Sequence, residues 1–201
     1  MKMGRSWILG VVSLSACILG GAAMMDGQSD ATGMSPEMMR AWMEFSTPGP
    51  EQKQLAKRAG TYKVTVHSWS APGADMMVSH GTATFTMQLD GRFLQQDYKG
   101  SYAGSPFDGF GLTGYNNKTK RFQFIWADSM GTGMMYGQGG MDGDTFQWRA
   151  RATDPLRGVV PMWGHDNWDD PNRFVMSMFT TTEDGTEFKQ GELIYERVQA
   201  E

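Results

Sequence analysis

Cysteine is almost absent from this sequence, which contains one, Cys17, among 201 residues. No disulfide can form within the chain, and because Cys17 lies in the N-terminal segment, the folded part offers no thiol nucleophile. The hydrolase signatures Gly-x-Ser-x-Gly and His-Glu-x-x-His are also missing. The three histidines, His67, His80 and His165, show no metal-ligand spacing. We therefore expect no metal and no cofactor, and the sequence identifies no catalytic residues.

Positive charge is scarce as well. Lys and Arg number 18 against 22 Asp and Glu, which gives a formal net charge of −4. Removal of the N-terminal segment that contains Lys2 and Arg5 would leave 16 basic residues against 22 acidic ones. Because nucleic-acid-binding proteins usually carry an excess of basic residues, we expect no nucleic-acid partner.

The N-terminus has the layout of an export signal over residues 1–23. A short basic start is followed by an uncharged apolar stretch from Trp7 and by small residues up to Ala23. The stretch "LSAC" ending at Cys17 resembles a bacterial lipobox, in which Cys17 would be lipidated; cleavage after Ala23 is the other route. An uncleaved anchor ranks third because the apolar stretch is shorter than a usual membrane span. The sequence predicts a protein of the periplasm or cell envelope that meets the membrane only through a Cys17 lipid, if one is attached.

Two helices are predicted before the strands. Residues 24–34 are rich in Gly, Met, Ser and Asp, a composition typical of a flexible tether. Within 35–60, Ser35 precedes Pro36, which is the favoured order of N-cap and first helical residue. The Gly-Pro pair at 49–50 indicates the start of a second helix. We expect one or two short helices in this segment.

From Thr61 onward, apolar and polar residues alternate with period two, which is typical of β-strands. Asp-Gly pairs at 90–91, 142–143 and 184–185 separate consecutive runs, and Asp-Gly favours tight hairpins because both residues tolerate positive φ. A long antiparallel meander removes its exposed edges by closing. We predict an all-β fold, an antiparallel up-and-down barrel of about nine strands over 61–198. The predicted strands are 61–69, 81–89, 92–100, 107–115, 121–128, 132–140, 144–152, 173–181 and 187–197.

Two predicted connections are too long for hairpins. Residues 70–80 could lie over an open end of the barrel. Residues 153–172 contain three prolines and two tryptophans. A loop of that length in a compact domain is usually a lid or a binding element, with a tolerated surface insertion as the alternative.

Gly109, Gly111 and Gly114 have the Gly-x-Gly-x-x-Gly spacing of a dinucleotide-binding loop. That loop needs a helix after its third glycine, because the helix N-terminus holds the phosphates. Here a polar turn and a second alternating run follow, so the glycines belong to the first strand of a hairpin. We interpret them as residues that bend the barrel wall, and we expect no nucleotide.

Three stretches together resemble the bacterial domain-of-unknown-function family 1579: "GRFLQQDYKG", "PFDGFGLTGYNNKTKRFQFIWADSMGTGM" and "MSPEMMRAWMEFSTPGPEQKQLAKRAGTYKV". The resemblance extends from about Met34 to Tyr195. It implies a calycin-like β-barrel, as in lipocalins, and it implies no activity, because none is established for the family. The chain departs from the family pattern at Tyr62, where Trp is common, and around 154–172.

One predicted strand carries the densest candidate site, since Phe122, Phe124, Trp126 and Asp128 share a face of it. A carboxylate at the end of an aromatic face needs a hydrogen-bond partner. Asp128 is either the polar anchor for a ligand at the barrel mouth or the acceptor for the turn amides that follow it, and we favour the second reading.

The remaining ligand-binding candidates lie on other strands: Gln96, Tyr98, Tyr115 and Trp148. The alternation does not fix which face of these strands forms the lumen, because Phe93 and Leu94 lie on opposite faces of the same run. For Trp148 we favour a position in the core over one in the pocket lining.

Methionine is frequent, with 18 residues. Thioethers suit Cu(I), and Met34, Met38, Met39 and Met43 lie close together in sequence. Flexible Met side chains also fill apolar helix faces and adaptable cavities, and we favour this explanation over a copper site.

Three function classes follow from these features. The first is a non-enzymatic protein that binds a small apolar or amphipathic molecule in the barrel. The second is an enzyme of unrecognised type that uses Asp128 or Asp97. The third is a structural or interaction protein of the envelope whose barrel is filled by side chains.

Overall fold

The computed structural model describes residues 33–199 and begins with two helices, α1 (Pro36–Ser46) and α2 (Pro50–Ala56). The Ser35 side chain caps α1 by accepting a hydrogen bond of 3.1 Å from the Met38 amide. The prediction of short helices before the strands is confirmed. The predicted export signal over 1–23, Cys17 and nearly all of the predicted tether lie outside the described residues.

Ten antiparallel strands form a closed barrel in which each strand pairs with its sequence neighbours and the first pairs with the last. This confirms the predicted up-and-down barrel, with one strand more than predicted. The strands are β1 (Gly60–Ser68), β2 (Met77–Gln88), β3 (Phe93–Tyr102), β4 (Ser105–Asn116), β5 (Arg121–Asp128), β6 (Met135–Asp142), β7 (Thr145–Asp154), β8 (Gly158–Asn167), β9 (Arg173–Thr181) and β10 (Glu187–Arg197).

The additional strand corrects the sequence prediction, because β8 occupies the middle of the predicted long loop 153–172. Its inward-facing residues include Gly164 and the buried Asp166, so the apolar alternation that marks a strand is lost. Pro161 also argues against a central strand. The structure accommodates it because pairing of β8 with β9 begins only at Met162.

The predicted loop 70–80 is also partly wrong, since β2 begins at Met77. The Asp90-Gly91 turn agrees with the predicted geometry, with φ angles of 55° and 79°. In the other two Asp-Gly turns only the glycines, Gly143 and Gly185, have positive φ, at 59° and 85°.

The barrel has two different ends. The closed end lies beside α2, whose buried Gln52 donates a hydrogen bond of 3.2 Å to the Tyr115 carbonyl oxygen and whose Leu55 joins the core. Asn117 holds α1 at the same end by donating to the carbonyl oxygens of Glu44 and Thr47, at 3.1 and 2.8 Å. The open end carries the other set of strand connections, among them the β5–β6 loop.

Aromatic side chains fill the interior of the closed end in two groups. In the first group, the Phe174 and Tyr195 rings are stacked at 4.3 Å. In the second, the rings of Phe122 and Phe146 meet edge to face at 5.4 Å. The first group consists of Tyr62, Phe85, Phe174 and Tyr195, and the second of Tyr115, Phe122, Phe146 and Trp168.

Candidate ligand-binding lumen

The aromatic face of β5 points into the barrel. Register pairs Trp126 with Gly111 of β4 and with Met135 of β6, and pairs Phe122 with Tyr115, which belongs to the aromatic interior. Exposure changes along this face: Phe122 is 1% exposed, whereas the next inward residues towards the open end are half-buried. Solvent therefore reaches the inward face of β5 at the open end.

The inward-facing glycines lie beneath aromatic rings. A Cβ atom at Gly109 would overlap the indole ring of Trp126, and one at Gly137 would overlap the ring of Phe124. The sequence predicts that glycines bend the wall, and the structure shows a different role for Gly109 and Gly137, which is to make room for aromatic rings. Each missing side chain allows a neighbouring ring to lie against the wall instead of projecting into the lumen.

Trp126 and Asp128 form a hydrogen-bonded pair at the open end of β5. The Trp126 indole N–H donates to Asp128 Oδ2 at 2.9 Å, and the Met130 amide donates to Asp128 Oδ1 at 2.9 Å. Asp128 is thus the acceptor for a turn amide, as favoured from the sequence. The same carboxylate also orients the Trp126 ring, a contact that the sequence analysis missed.

Gln96 and Tyr98 lie next to Trp126 around the same glycines. Gln96 pairs with Gly111 and donates a hydrogen bond of 3.2 Å to the Tyr195 hydroxyl. Tyr98 pairs with Gly109 and is 5% exposed. Burial raises the pKa of both tyrosine hydroxyls, because the phenolate form would lose its hydration. Together with Asp128, these groups give the lumen a few polar atoms in an apolar wall.

Methionines supply much of the remaining inward surface. Met162 of β8 and Met176 and Met178 of β9 pack against the core and are half-buried, as is Met135 of β6. By contrast, Met38 and Met43 on α1 are 56% and 60% exposed, so the interpretation of these two residues as packing residues is wrong.

Tyr115 and Trp148 do not join the group around Trp126. Tyr115 lies at the closed end, with its ring 4.9 Å from that of Phe122. Trp148 is 5% exposed, and its indole N–H donates to Asp166 at 3.3 Å. Asp97, the alternative catalytic carboxylate, is exposed on the outer face of β3.

A buried ion pair at the closed end was missed by the sequence analysis. Arg58 and Asp166 lie 3.4 Å apart with side chains 8% and 10% exposed. Burial lowers the pKa of the Arg58 guanidinium and raises the pKa of the Asp166 carboxyl, and their mutual attraction opposes both shifts. The Arg58 guanidinium lies over the Phe174 and Trp168 rings, 3.6 and 4.7 Å from their centroids. This cluster seals the floor of the lumen.

Two concavities lie outside the interior of the barrel. One, of about 380 Å³, lies between α2 and the β8–β9 connection beneath the floor. The other, of about 580 Å³, is a groove on the outer wall of β6, β7 and β8. Residues 33–199 contain no group of three or more His, Cys, Asp or Glu residues placed to hold a metal ion. Neither described helix combines the length and apolar character that a membrane span needs.

Comparison with known proteins supports the family resemblance found in the sequence. The model of the family described as a protein of unknown function, DUF1579, matches residues 47–197. No protein with a curated description matches the sequence.

Solved structures share the barrel. Rv2717c from M. tuberculosis is 10% identical, with a TM-score of 0.53 and coverage of 76% of this chain and 100% of that chain. The S-type phycobiliprotein lyase CPES from Guillardia theta is 9% identical, with a TM-score of 0.54 and coverage of 80% and 98%. A redesigned β-barrel bound to DFHBI is 20% identical over 72% and 98% of the two chains, with a TM-score of only 0.39. At these identities the first two likenesses confirm the calycin-like fold alone.

Proposed function

This chain belongs to the DUF1579 family of proteins of unknown function, and we propose that it is a non-enzymatic binding protein that holds a small apolar or amphipathic molecule in the lumen of its barrel. One observation carries the proposal. Along the inward face of β5, Phe122 is sealed in the floor, whereas Phe124, Trp126 and Asp128 point inward and remain in contact with solvent. Small barrels whose interior is not filled by side chains have room for one ligand.

The chemistry of the lumen matches an amphipathic ligand. The Phe124 and Trp126 rings and the Met176 and Met178 thioethers offer adaptable apolar contact. Asp128 offers polar contact at the open end and Gln96 offers a second polar group deeper in the barrel, and ligand sites commonly combine an apolar lining with a few polar groups. We expect the apolar part of the ligand to face the floor and its polar part to face the open end.

A neutral apolar probe tests the proposal. We expect N-phenyl-1-naphthylamine to bind the folded protein with one-to-one stoichiometry and to change tryptophan emission. Trp126→Phe should remove much of this change, because the Trp126 ring lines the lumen, whereas Trp163→Phe on the outer wall should leave it intact. Titration of each variant by fluorescence measures both effects.

Three results would contradict the proposal. Absence of binding would favour a barrel filled by side chains, and loss of the signal in Trp163→Phe but not in Trp126→Phe would place the site on the outer wall. Native mass spectrometry of protein purified from its own host would detect a bound lipid directly. Asp128→Asn should weaken binding of decanol, which has a polar hydroxyl head, more than binding of the apolar probe N-phenyl-1-naphthylamine. An enzymatic turnover that is lost in Asp128→Asn would identify the protein as an enzyme instead.

Export is a second part of the proposal. It is motivated by the basic, apolar and small-residue succession within 1–23. We expect the mature protein to begin at a lipidated Cys17 or near Met24. Cys17→Ser should release the protein from membranes only if Cys17 carries a lipid, and mass spectrometry of the mature N-terminus distinguishes the two routes. An intact Met1 on cytoplasmic protein would contradict export.

A further inference from the structure

We infer that the outer wall of the barrel carries a second binding site, which takes an anionic saccharide in the groove across β6, β7 and β8. The groove encloses about 580 Å³ and is lined by outward-facing side chains of these strands and of the neighbouring β5. The lining residues that carry the argument are Arg121, Gln138, Gln147, Arg149, Trp163 and His165.

Glycine forms the bottom of the groove. Gly139 and Gly164 flank Trp148 in the register of β6, β7 and β8, and the Trp148 ring lies on the inner side over Gly164. Gly140 points outward with no side chain, so the Arg121 guanidinium can lie across it; a Cβ at Gly140 would be 2.8 Å from Arg121 Nη1. The strand backbone at these glycines therefore forms the base of a groove between projecting side chains, and a ligand can enter this groove.

The charge of the groove is opposite to that of the molecule. The chain has a formal net charge of −4, yet none of the residues that line the groove is Asp or Glu. Arg121 and Arg149 form no ion pair with another residue of the described part of the chain. Asp142 at the end of β6 accepts a hydrogen bond of 2.9 Å from Gln147. Two free guanidinium groups can bind a carboxylate or another oxyanion through paired N–H donors.

An aromatic side chain forms one side of the groove. Trp163 pairs with Arg149 across β7 and β8, and its ring is stacked at 6.3 Å with that of Phe179 on the other side. Phe179 fixes the orientation of Trp163, whose indole provides a flat apolar surface and an N–H donor. The C–H face of a sugar ring fits such a surface, while the arginines bind its carboxylate and Gln138 its hydroxyl groups. These three chemistries together favour an anionic saccharide over a bare inorganic anion.

Calorimetry with tetragalacturonate, neutral maltotetraose and inorganic phosphate tests the site. We expect tetragalacturonate to bind and the other two to bind at least about tenfold more weakly, since each lacks one of the two contacts. Arg149→Gln should weaken tetragalacturonate binding by about tenfold or more, the effect of losing one charge-assisted contact. Trp163→Leu should also weaken it.

Arg151→Gln is the matched control, because Arg151 is exposed on the same face of β7 but does not line the groove. It should change tetragalacturonate affinity less than twofold, and tetragalacturonate should not displace N-phenyl-1-naphthylamine from the lumen. Equal losses in Arg149→Gln and Arg151→Gln would show a diffuse charge effect and overturn the proposal. Equal affinity for maltotetraose or phosphate, or no binding of tetragalacturonate, would overturn it as well.

Discussion

Among the ion pairs of residues 33–199, the pair of Arg58 and Asp166 has the most deeply buried side chains, 8% and 10% exposed. Each would lose several kcal/mol of hydration on burial, and the partner and its hydrogen bonds compensate for this loss. Asp166 accepts from the Arg58 guanidinium at 3.4 Å and from the indole N–H groups of Trp148 and Trp168 at 3.3 and 3.4 Å. The pair therefore joins the segment after α2 to β7 and β8 at one point.

Removing both members of this pair should destabilise the protein less than the sum of the two single removals. We expect Arg58→Met to lower the free energy of unfolding by about 3–5 kcal/mol, because Asp166 is left buried without its counter-charge. Arg58→Met combined with Asp166→Leu should cost less than the sum of the two single changes. Urea denaturation of the three variants measures the coupling, and strictly additive losses would contradict it.

The buried tyrosines make stability depend on alkaline pH. Burial raises the pKa of Tyr195 above the ordinary value of about 10, so its contribution is complete below pH 10 and declines as the pH rises towards the folded-state value. Tyr195→Phe should therefore lose less stability than the wild type above about pH 10. Denaturation at several alkaline pH values measures the difference.

Tyr102→Phe is the control for this experiment, because it removes a tyrosine hydroxyl from an exposed position instead of a buried one. A slope that is the same in Tyr195→Phe and in the wild type would show that Tyr195 titrates equally in the folded and unfolded states.

The candidate site could be predicted only where neighbours in sequence decide it. Alternation placed Trp126 and Asp128 on one face, and Asp128 precedes the turn amide that it accepts. Arg58 and Asp166 are 108 positions apart, and no local pattern reports that they meet. A charged residue after a short helix and an aspartate in a proline-containing segment both look like surface residues until the barrel closes.

At the level of the strands, the inward glycines and the rings above them act as pairs. Gly109→Ala should lower the free energy of unfolding by about 1–3 kcal/mol, because the new Cβ overlaps the Trp126 ring. Combining Gly109→Ala with Trp126→Leu should recover part of the loss, since the smaller side chain makes room for the methyl group.

Gly131→Ala in the β5–β6 loop is the matched control. A Cβ there would approach nothing closer than 3.9 Å, and the residue needs no positive φ. We expect a change within about 0.5 kcal/mol. Equal costs for Gly109→Ala and Gly131→Ala in thermal or urea denaturation would refute the pairing of glycine with ring.

The strands also show where sequence patterns fail. The hairpins around Asp90-Gly91 and Asp142-Gly143 were predicted because turn chemistry and alternation agree there. β8 was missed because Gly164 and Asp166 occupy two of its inward positions, where the pattern calls for apolar residues. Both exceptions have structural causes: Gly164 makes room for the Trp148 ring, and Asp166 pairs with Arg58.

For the whole molecule, the barrel is sealed at one end and accessible at the other. The closed end has α2, the buried ion pair and two aromatic groups, whereas the inward residues of β5 at the open end, Phe124, Trp126 and Asp128, are half-buried. Barrel closure followed from the number of alternating runs, since so long a meander would otherwise leave two edges exposed. The sequence could not reveal which end is sealed, because that depends on where α2 docks.

Because β1 pairs with β10, the barrel can close only after the last of its ten strands has been synthesised. Arg197, near the C-terminus, donates hydrogen bonds to the carbonyl oxygens of Lys57, Ala59 and Pro171, at distances of 2.6 to 3.2 Å. A ribosome synthesises β10 after the other nine strands of the barrel, so until β10 has been made the nascent barrel has two unpaired strand edges and cannot close. Deletion of β10 should therefore leave the edges of β1 and β9 unpaired and make the chain prone to aggregation.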